Sequence, residues 1–383
     1  MSTEMSGSTC IFYYRGGNLK PGGVEVMILR QAQWIQKNSL FVPIILIDES
    51  NEFLYEFYSS NGLKVEVVLN KSRPGIFNTS QKIHQVIKKF QGKHFLQSHL
   101  FRESIICRLV RFSNVNLKHY FRAETYIDCS EISGFKIFFY HCLDYLTKAW
   151  VDLYIANGNL VYKEIKEKSW ISSKKIIAVY NGCEQFGSID RNPIVTPLSI
   201  AMVANLLPVK DHPTLFRALY GLKQEGIIIN VDLYGDEIDP RSYNNFLSYK
   251  AYLEHLVEKW QLQSQVKFRG FCSQLKTELE LFQIVVLTSI SEGTANAIQE
   301  ALSVGKLVIC SDVYELGFIL NQGSSGLLFP SGNDLRLAEL LKAIASQPDA
   351  KEWKSIREQA LIRWEENFSV KIMMDQMHSL YIC

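Results

Sequence analysis

Ser289-Ile290-Ser291-Glu292-Gly293-Thr294-Ala295-Asn296-Ala297-Ile298-Gln299-Glu300-Ala301-Leu302-Ser303-Val304-Gly305-Lys306-Leu307-Val308-Ile309 is entered from one short apolar run, Ile284-Val285-Val286-Leu287, and leaves through another, Leu307-Val308-Ile309-Cys310. Both runs have strand length. Between them Ala297, Ile298, Ala301, Leu302 and Val304 recur at helical spacing. Gly305 stands where a residue just past a helix end would. The pattern predicts a strand–loop–helix–strand unit of a parallel sheet. Glu292 falls in the loop after the strand and Glu300 within the helix. Loops at the carboxyl ends of parallel strands are where open α/β sheets bind ligands. A carboxylate there accepts hydrogen bonds from hydroxyl groups or faces a positive charge.

Working outward, 383 residues exceed one ordinary core, so two domains are expected. Nearly half the residues are hydrophobic and 21% are charged, a globular composition without low-complexity tracts. The net charge is +2, unevenly shared: residues 1–190 hold 23 basic and 17 acidic residues, the remainder 18 and 22. Gln81–Arg122 is the sharpest excess, with nine basic residues and only Glu103 acidic. Ile83, Val86, Ile87 and Phe90 read as the apolar stripe of a helix there, with Lys82, Lys88, Lys89 and Lys93 off it. Two readings stay open: a solvated helix face, or contact with an anionic partner such as a membrane surface. Nucleic acid is not expected at this total charge without a binding module. The eight cysteines show no metal-ligand spacing, no signal peptide is visible and no apolar run spans a bilayer. A cytoplasmic protein with reduced cysteines is expected, at most peripheral on the inner face of a membrane.

Strand and helix patterns alternate along the chain. Thr9–Tyr14, Phe41–Asp48, Leu63–Leu69, His94–His99, Asn116–Glu124, Asp152–Ala156 and Lys175–Tyr180 read as strands. Val26, Leu29, Trp34 and Ile35 mark the first helix, and Phe101–Phe112 another. Gly22-Gly23 sits between the first strand and first helix. A glycine pair there either makes a tight turn or lets backbone N–H groups approach a phosphate. Ser188–Pro197 is a polar, proline-punctuated linker, and Ser199–Ala204, Ile227–Tyr234 and Val266–Phe271 continue the strands after it. Lys210 follows the first of these, in a loop before a helix.

The organising stretch resembles the Glu-x7-Glu signature of the retaining glycosyltransferases of family 4, usually close to Ser-x-x-Glu-Gly-x-x-Asn-x-x-x-Glu-Ala-x-x-x-Gly-x-Pro-Val-Ile. Both glutamates, Gly293, Asn296, Ala301, Gly305, Val308 and Ile309 stand in register, with Leu307 where proline is common. The resemblance is strong from 199 to about 346 and weaker before. Gly22-Gly23-Val24-Glu25 looks like the family's Gly-Gly-x-Glu loop, and Tyr180-Asn181-Gly182 like its first-domain end. Gln97-Ser98-His99-Leu100-Phe101-Arg102 is similar to its Ser-His-Leu-Phe turn, and Val266-Lys267-Phe268-Arg269-Gly270-Phe271 to its Val-x-Phe-x-Gly strand. Departures are Asn205 where an arginine is usual, Glu237 for the second glycine of Gly-Asp-Gly, and Glu124 where many relatives carry a histidine, His119 lying earlier on that strand.

The resemblance implies an α/β GT-B fold: two Rossmann-like domains with parallel sheets facing across a cleft. Residues 1–190 would form the acceptor-binding domain, 191–365 the nucleotide-sugar-binding domain, and 366–383 a helix crossing back to the first. It implies transfer of a sugar from a nucleoside-diphosphate sugar, UDP or GDP, to a glycan or lipid-linked acceptor with retention of configuration, as in polysaccharide biosynthesis. No metal and no separate cofactor are implied. Glu292, Lys210, His99 and Glu124 are the implied catalytic set, Lys210 facing the diphosphate and Glu292 hydroxyls of the transferred sugar. Gly22, Gly23, Asn205, Lys210, Arg269, Phe271, Glu292, Gly293, Thr294, Ala295, Asn296 and Glu300 would line the donor site, Glu300 on ribose hydroxyls. Phe271 has the alternative of a packed strand-end aromatic. Asn205 and Glu124 together favour one competing reading, a GT-B scaffold that binds sugar nucleotides without turnover. A sugar-nucleotide epimerase of the same fold fits the Glu-Gly-x-x-Asn-x-x-x-Glu-Ala form less well.

Overall fold

The structure is a computed structural model; it describes residues 8–16, 22–48, 51–68, 75–114, 116–124, 142–168, 171–237, 243–272 and 274–382. The chain divides into two compact units, one of residues up to Asn181 together with those from Met373 on, the other Gly182–Ile372.

The first unit holds β1 (Cys10–Arg15), β2 (Val42–Asp48), β3 (Lys64–Val68), β4 (His94–Ser98), β5 (Leu117–Ala123), β6 (Leu153–Ala156) and β7 (Ile176–Ala178). They form one sheet in the order β3-β2-β1-β4-β5-β6-β7, every pair parallel. The second unit holds β8 (Ser199–Val203), β9 (Asn230–Tyr234), β10 (Val266–Gly270), β11 (Ile284–Leu287), β12 (Leu307–Asp312) and β13 (Leu327–Pro330). These pair in parallel in the order β10-β9-β8-β11-β12-β13. Helices on both faces of a parallel sheet leave its strands no wet side, which is why β1 and β11 are apolar throughout and wholly buried. Each unit is Rossmann-like, and strand order reverses once in each: between β1 and β4, and between β8 and β11. Carboxyl-end loops flanking such a reversal form the ligand crevice of doubly wound sheets.

The organising stretch folds as β11, loop, helix Asn296–Leu302 and β12. Gly305 closes the helix at φ +69°, with Lys306 N donating to Ala301 O, a helix stop that favours glycine. Four expectations shift. The helix starts at Asn296, not near Thr294, and Val304 lies beyond it. The first helix, Gly23–Asn38, buries Met27, Ile28, Ala32 and Ile35, leaving Val26 and Leu29 partly exposed. Helix Ile76–Ile87 ends before Lys88, Lys89 and Lys93, so only Lys82 of that group is helical. Within the basic stretch, Arg108 and Arg122 are fully buried and face no solvent.

Candidate active site

In the second unit the two loops at the strand reversal are tied together. Thr288 Oγ1 donates to the carbonyls of Lys210 and Asp211, both at 2.9 Å, and Ile290 N donates to Val209 O at 2.8 Å. Across this seam Lys210 Nζ lies 2.6 Å from Glu292 Oε1, which also accepts from Ser289 Oγ at 2.5 Å. Ser289 is itself held, its carbonyl accepting from Ser311 Oγ and Ser331 Oγ. A cation and a carboxylate thus converge at the crevice, on loops whose backbones fix each other. Gly293, Thr294 and Ala295 lead from Glu292 into the helix, with Ala295 at its cap. Glu300 is half-buried on that helix, and the side-chain oxygen of Asn296 has no hydrogen-bond partner among the described residues.

Asn205 is exposed on the Lys210 loop. That loop meets the one after β9 so closely that a Cβ on Gly235, at φ +143°, would lie 2.2 Å from Ala204 O. Arg269 and Phe271 lie at the end of the outermost strand, β10, two strands from β8, about 10 Å at sheet spacing. Arg269 pairs with Asp232 at 2.5 Å. Phe271 is 72% exposed and its N–H donates to Asp236 Oδ1. Its ring therefore presents a free face rather than the buried strand-end aromatic that was the alternative. Tyr234 donates to Glu278 Oε2 nearby, at 2.8 Å.

In the first unit the reversal loops carry a second polar group. His99 is fully buried, its Nδ1 3.8 Å from Glu124 Oε1. Burial holds the imidazole below its ordinary pKa, against the opposing pull of Glu124. Burial also opposes ionisation of Glu124, but His99, Arg122 and the amide of Asn157, 2.7 Å away, outweigh it and hold the carboxyl below its usual range. His119 belongs elsewhere: it is buried against Ser98 Oγ, 2.9 Å away. Gly22 caps the first helix and Gly23 begins it, both exposed.

Arg15 was not singled out from the sequence. It bridges Glu25 and Glu103 at 2.5 Å each, with all three side chains buried. The two glutamates occupy the third position of their helices and accept from the backbone N–H groups of Gly22 and Leu100. Glu103 also accepts from Gly16 N. The signal was available: a glutamate three residues after a helix start is a capping box, and two such boxes flank one strand-end arginine.

A cavity of about 520 Å3, lined by Asp190, Arg191, Trp353 and Arg357 among others, lies at the amino end of β12, the edge away from Lys210 and Glu292. There Asp190 is held by Lys306 at 2.8 Å and Arg357 at 3.2 Å, fastening the linker to the second unit.

Residues 189–361 match the family model described as Glycosyl transferases group 1. No curated protein matches the sequence. Among solved structures, the chain is similar to HepE of Anabaena in complex with UDP and glucose, with 16% identity, TM-score 0.78, and 97% of this chain and 98% of that chain covered. It is similar also to a glycosyltransferase from Rickettsia africae, with 19% identity, TM-score 0.80 and 98% of each chain covered. A third is TarM of S. aureus in complex with fondaparinux, α-GlcNAc-glycerol and UDP, with 10% identity, TM-score 0.75, and 97% of that comparison's share replaced here by 97% of this chain and 99% of the other. The fold is GT-B, and its second unit carries a group 1 glycosyltransferase domain.

Proposed function

We propose that this chain is a retaining glycosyltransferase of family 4 that moves a sugar from a nucleoside-diphosphate sugar to a glycan or lipid-linked acceptor without a metal ion. The observation that carries the reading is the convergence of Lys210 and Glu292 at the strand reversal of the second unit. Breaking a glycosidic bond to a diphosphate builds negative charge on the leaving group, and a positioned cation stabilises it. Lys210 takes that role. Glu292 accepts from hydroxyls of the transferred sugar and Glu300 from those of the ribose. The exposed ring of Phe271 offers a stacking face to the base. UDP is the first donor nucleotide to test, since HepE and TarM are seen with UDP. His99 and Glu124 form the polar group on the acceptor side, with Glu124 ionised and His99 neutral. Nothing in the scheme needs a dedicated base, because a donor phosphate oxygen takes the acceptor proton.

The test is a thermal-shift panel of nucleoside diphosphates and their sugars on wild type and Glu300→Ala, followed by donor turnover with and without chelator. Ligand at about 100 times its dissociation constant adds ~2.7 kcal/mol to the folded state. A shift with one nucleotide that Glu300→Ala abolishes, with chelator-insensitive turnover, is expected. No shift with any nucleotide overturns the reading. Asn205, which leaves one cation on its loop, favours a second reading, a scaffold that binds donor without turning it over. Binding without release of free nucleoside diphosphate would establish that instead.

A further inference from the structure

A membrane-bound acceptor raises the question of which surface meets the lipid, and one edge of the first unit has the chemistry for it. Helix Phe101–Phe112 ends at the amino edge of the sheet, opposite the loops that hold His99 and Glu124. There the Phe112 ring lies 4.5 Å from that of Trp150. Phe112 is 66% exposed, and Tyr145 and Leu146, on the short helix at 142–147, are 62% and 72% exposed. Lys148 Nζ sits 4.1 Å over the Tyr145 ring. A contact of 3.1 Å between Ser113 Oγ and His84 Nδ1 joins this face to the end of helix Ile76–Ile87, where Lys88 and Lys89 are exposed.

The charge around the face is one-sided for a structural reason. The described stretches 81–114 and 142–152 contain three carboxylates, and an arginine holds each one. Glu103 is buried against Arg15, Asp144 pairs with Arg108 at 2.8 Å, and Asp152 with Arg111 at 2.8 Å. With those anions neutralised, the lysines set the outward potential. Aromatic rings with polar tips, an exposed leucine and long-stemmed lysines around them match the boundary between headgroups and acyl chains. An acidic protein would account for the lysines but not for the apolar centre, and a second copy of the chain would bring like charges together.

We propose that the face formed by Phe112, Tyr145, Leu146 and Trp150, rimmed by Lys88, Lys89 and Lys148, docks this protein on an anionic lipid bilayer. The proposal rests on the membrane-acceptor reading, but it is measured without donor or acceptor. The full chain is mixed with phosphatidylcholine vesicles, with and without phosphatidylglycerol, and followed by co-sedimentation and by tryptophan quenching with brominated acyl chains. Binding is expected only to the anionic vesicles and to weaken with salt. Lys88→Glu/Lys89→Glu and Leu146→Asp should each weaken it about tenfold or more. Trp150→Phe should keep binding and lose most of the quenching. Nucleotide thermal shifts should be unchanged in all of these, since the face lies away from the carboxyl-end loops. Vesicle binding without any nucleotide shift would support the surface and sink the transferase reading. A nucleotide shift without vesicle binding would overturn the surface alone. Equal binding by Leu146→Asp, or light scattering showing a dimer that Leu146→Asp dissociates, would also overturn it.

Discussion

Lys210 and Glu292 stand 82 residues apart in sequence and 2.6 Å apart in space, each on a loop that flanks the strand reversal of its sheet. The pair has a cost for a ligand that needs the cation: a diphosphate must draw Lys210 away from, or share it with, Glu292. Glu292→Gln should therefore bind free nucleoside diphosphate more tightly, by about two- to fivefold, the scale of a partly exposed ion pair. It should turn over the sugar donor roughly 10–100-fold more slowly, having lost a charge-assisted contact to the sugar. Calorimetry of the nucleotide and donor-release kinetics measure the two effects separately. Equal weakening of both would mean that Glu292 only holds Lys210 in place.

Gly235 tests how tightly the loops after β8 and β9 are built. Its φ of +143° disfavours any side chain, and a Cβ would stand 2.2 Å from Ala204 O and 2.8 Å from Asn205 N. Both obstacles are backbone. Gly235→Ala should cost about 3 kcal/mol or more in urea unfolding and weaken nucleotide binding by shifting the Asn205 segment. Gly221, inside helix His212–Gln224 with open space around it, is the control. Gly221→Ala should stabilise by about 0.5–1 kcal/mol.

These residues mark what the sequence could and could not disclose. The strands and the stretch from Ser289 to Ile309 were legible because their signals are local: apolar runs of strand length, helical spacing, a glycine at a helix stop. Lys210 was legible as a loop cation, but its pairing with Glu292 was not, since that depends on β8 and β11 being neighbours in the sheet. The basic stretch Gln81–Arg122 misled in part for the same reason. Arg108 and Arg122 count as surface charge in a sequence, yet each is fully buried among partners at least 36 positions away. Arg15 was missed because its two carboxylates lie on different helices, although each box could be read alone.

His212 gives a prediction in pH. It is fully buried at the start of its helix, neither ring nitrogen has a hydrogen-bond partner among the described residues, and burial with Lys210 nearby pushes it down to about 3. Its folded pKa is below the unfolded value, so the unfolded chain binds the extra proton as pH falls. Stability is lost below about pH 6.5 and continues to fall toward pH 3, at ~1.4 kcal/mol per unit. His212→Phe should remove one proton from the pH slope of urea unfolding and be more stable than wild type at pH 5.5. His119, also driven to about 3 by burial and nearby arginines, remains to give the variant a residual slope. An unchanged slope in His212→Phe would show that the ring finds a partner on protonation.

Arg15 carries the strongest structural prediction, because it is one cation between two buried carboxylates. Removing one partner of a buried ion pair leaves a charge without compensation, at about 3–5 kcal/mol. Arg15→Met should lose that much at neutral pH, and Glu25→Gln combined with Glu103→Gln in that background should recover part of it. The loss should also depend on pH in a stated direction. Burial already raises Glu103 above its ordinary pKa, with Arg15 opposing. Without the arginine the carboxyl rises further, so the folded state holds a proton that the unfolded state releases above about pH 4.5. Stability of the variant then falls as pH rises through that widened window. The deficit relative to wild type should be smallest near pH 5 and largest near pH 8, read from urea midpoints at the two values. A deficit independent of pH would mean that Arg15 contributes packing rather than charge.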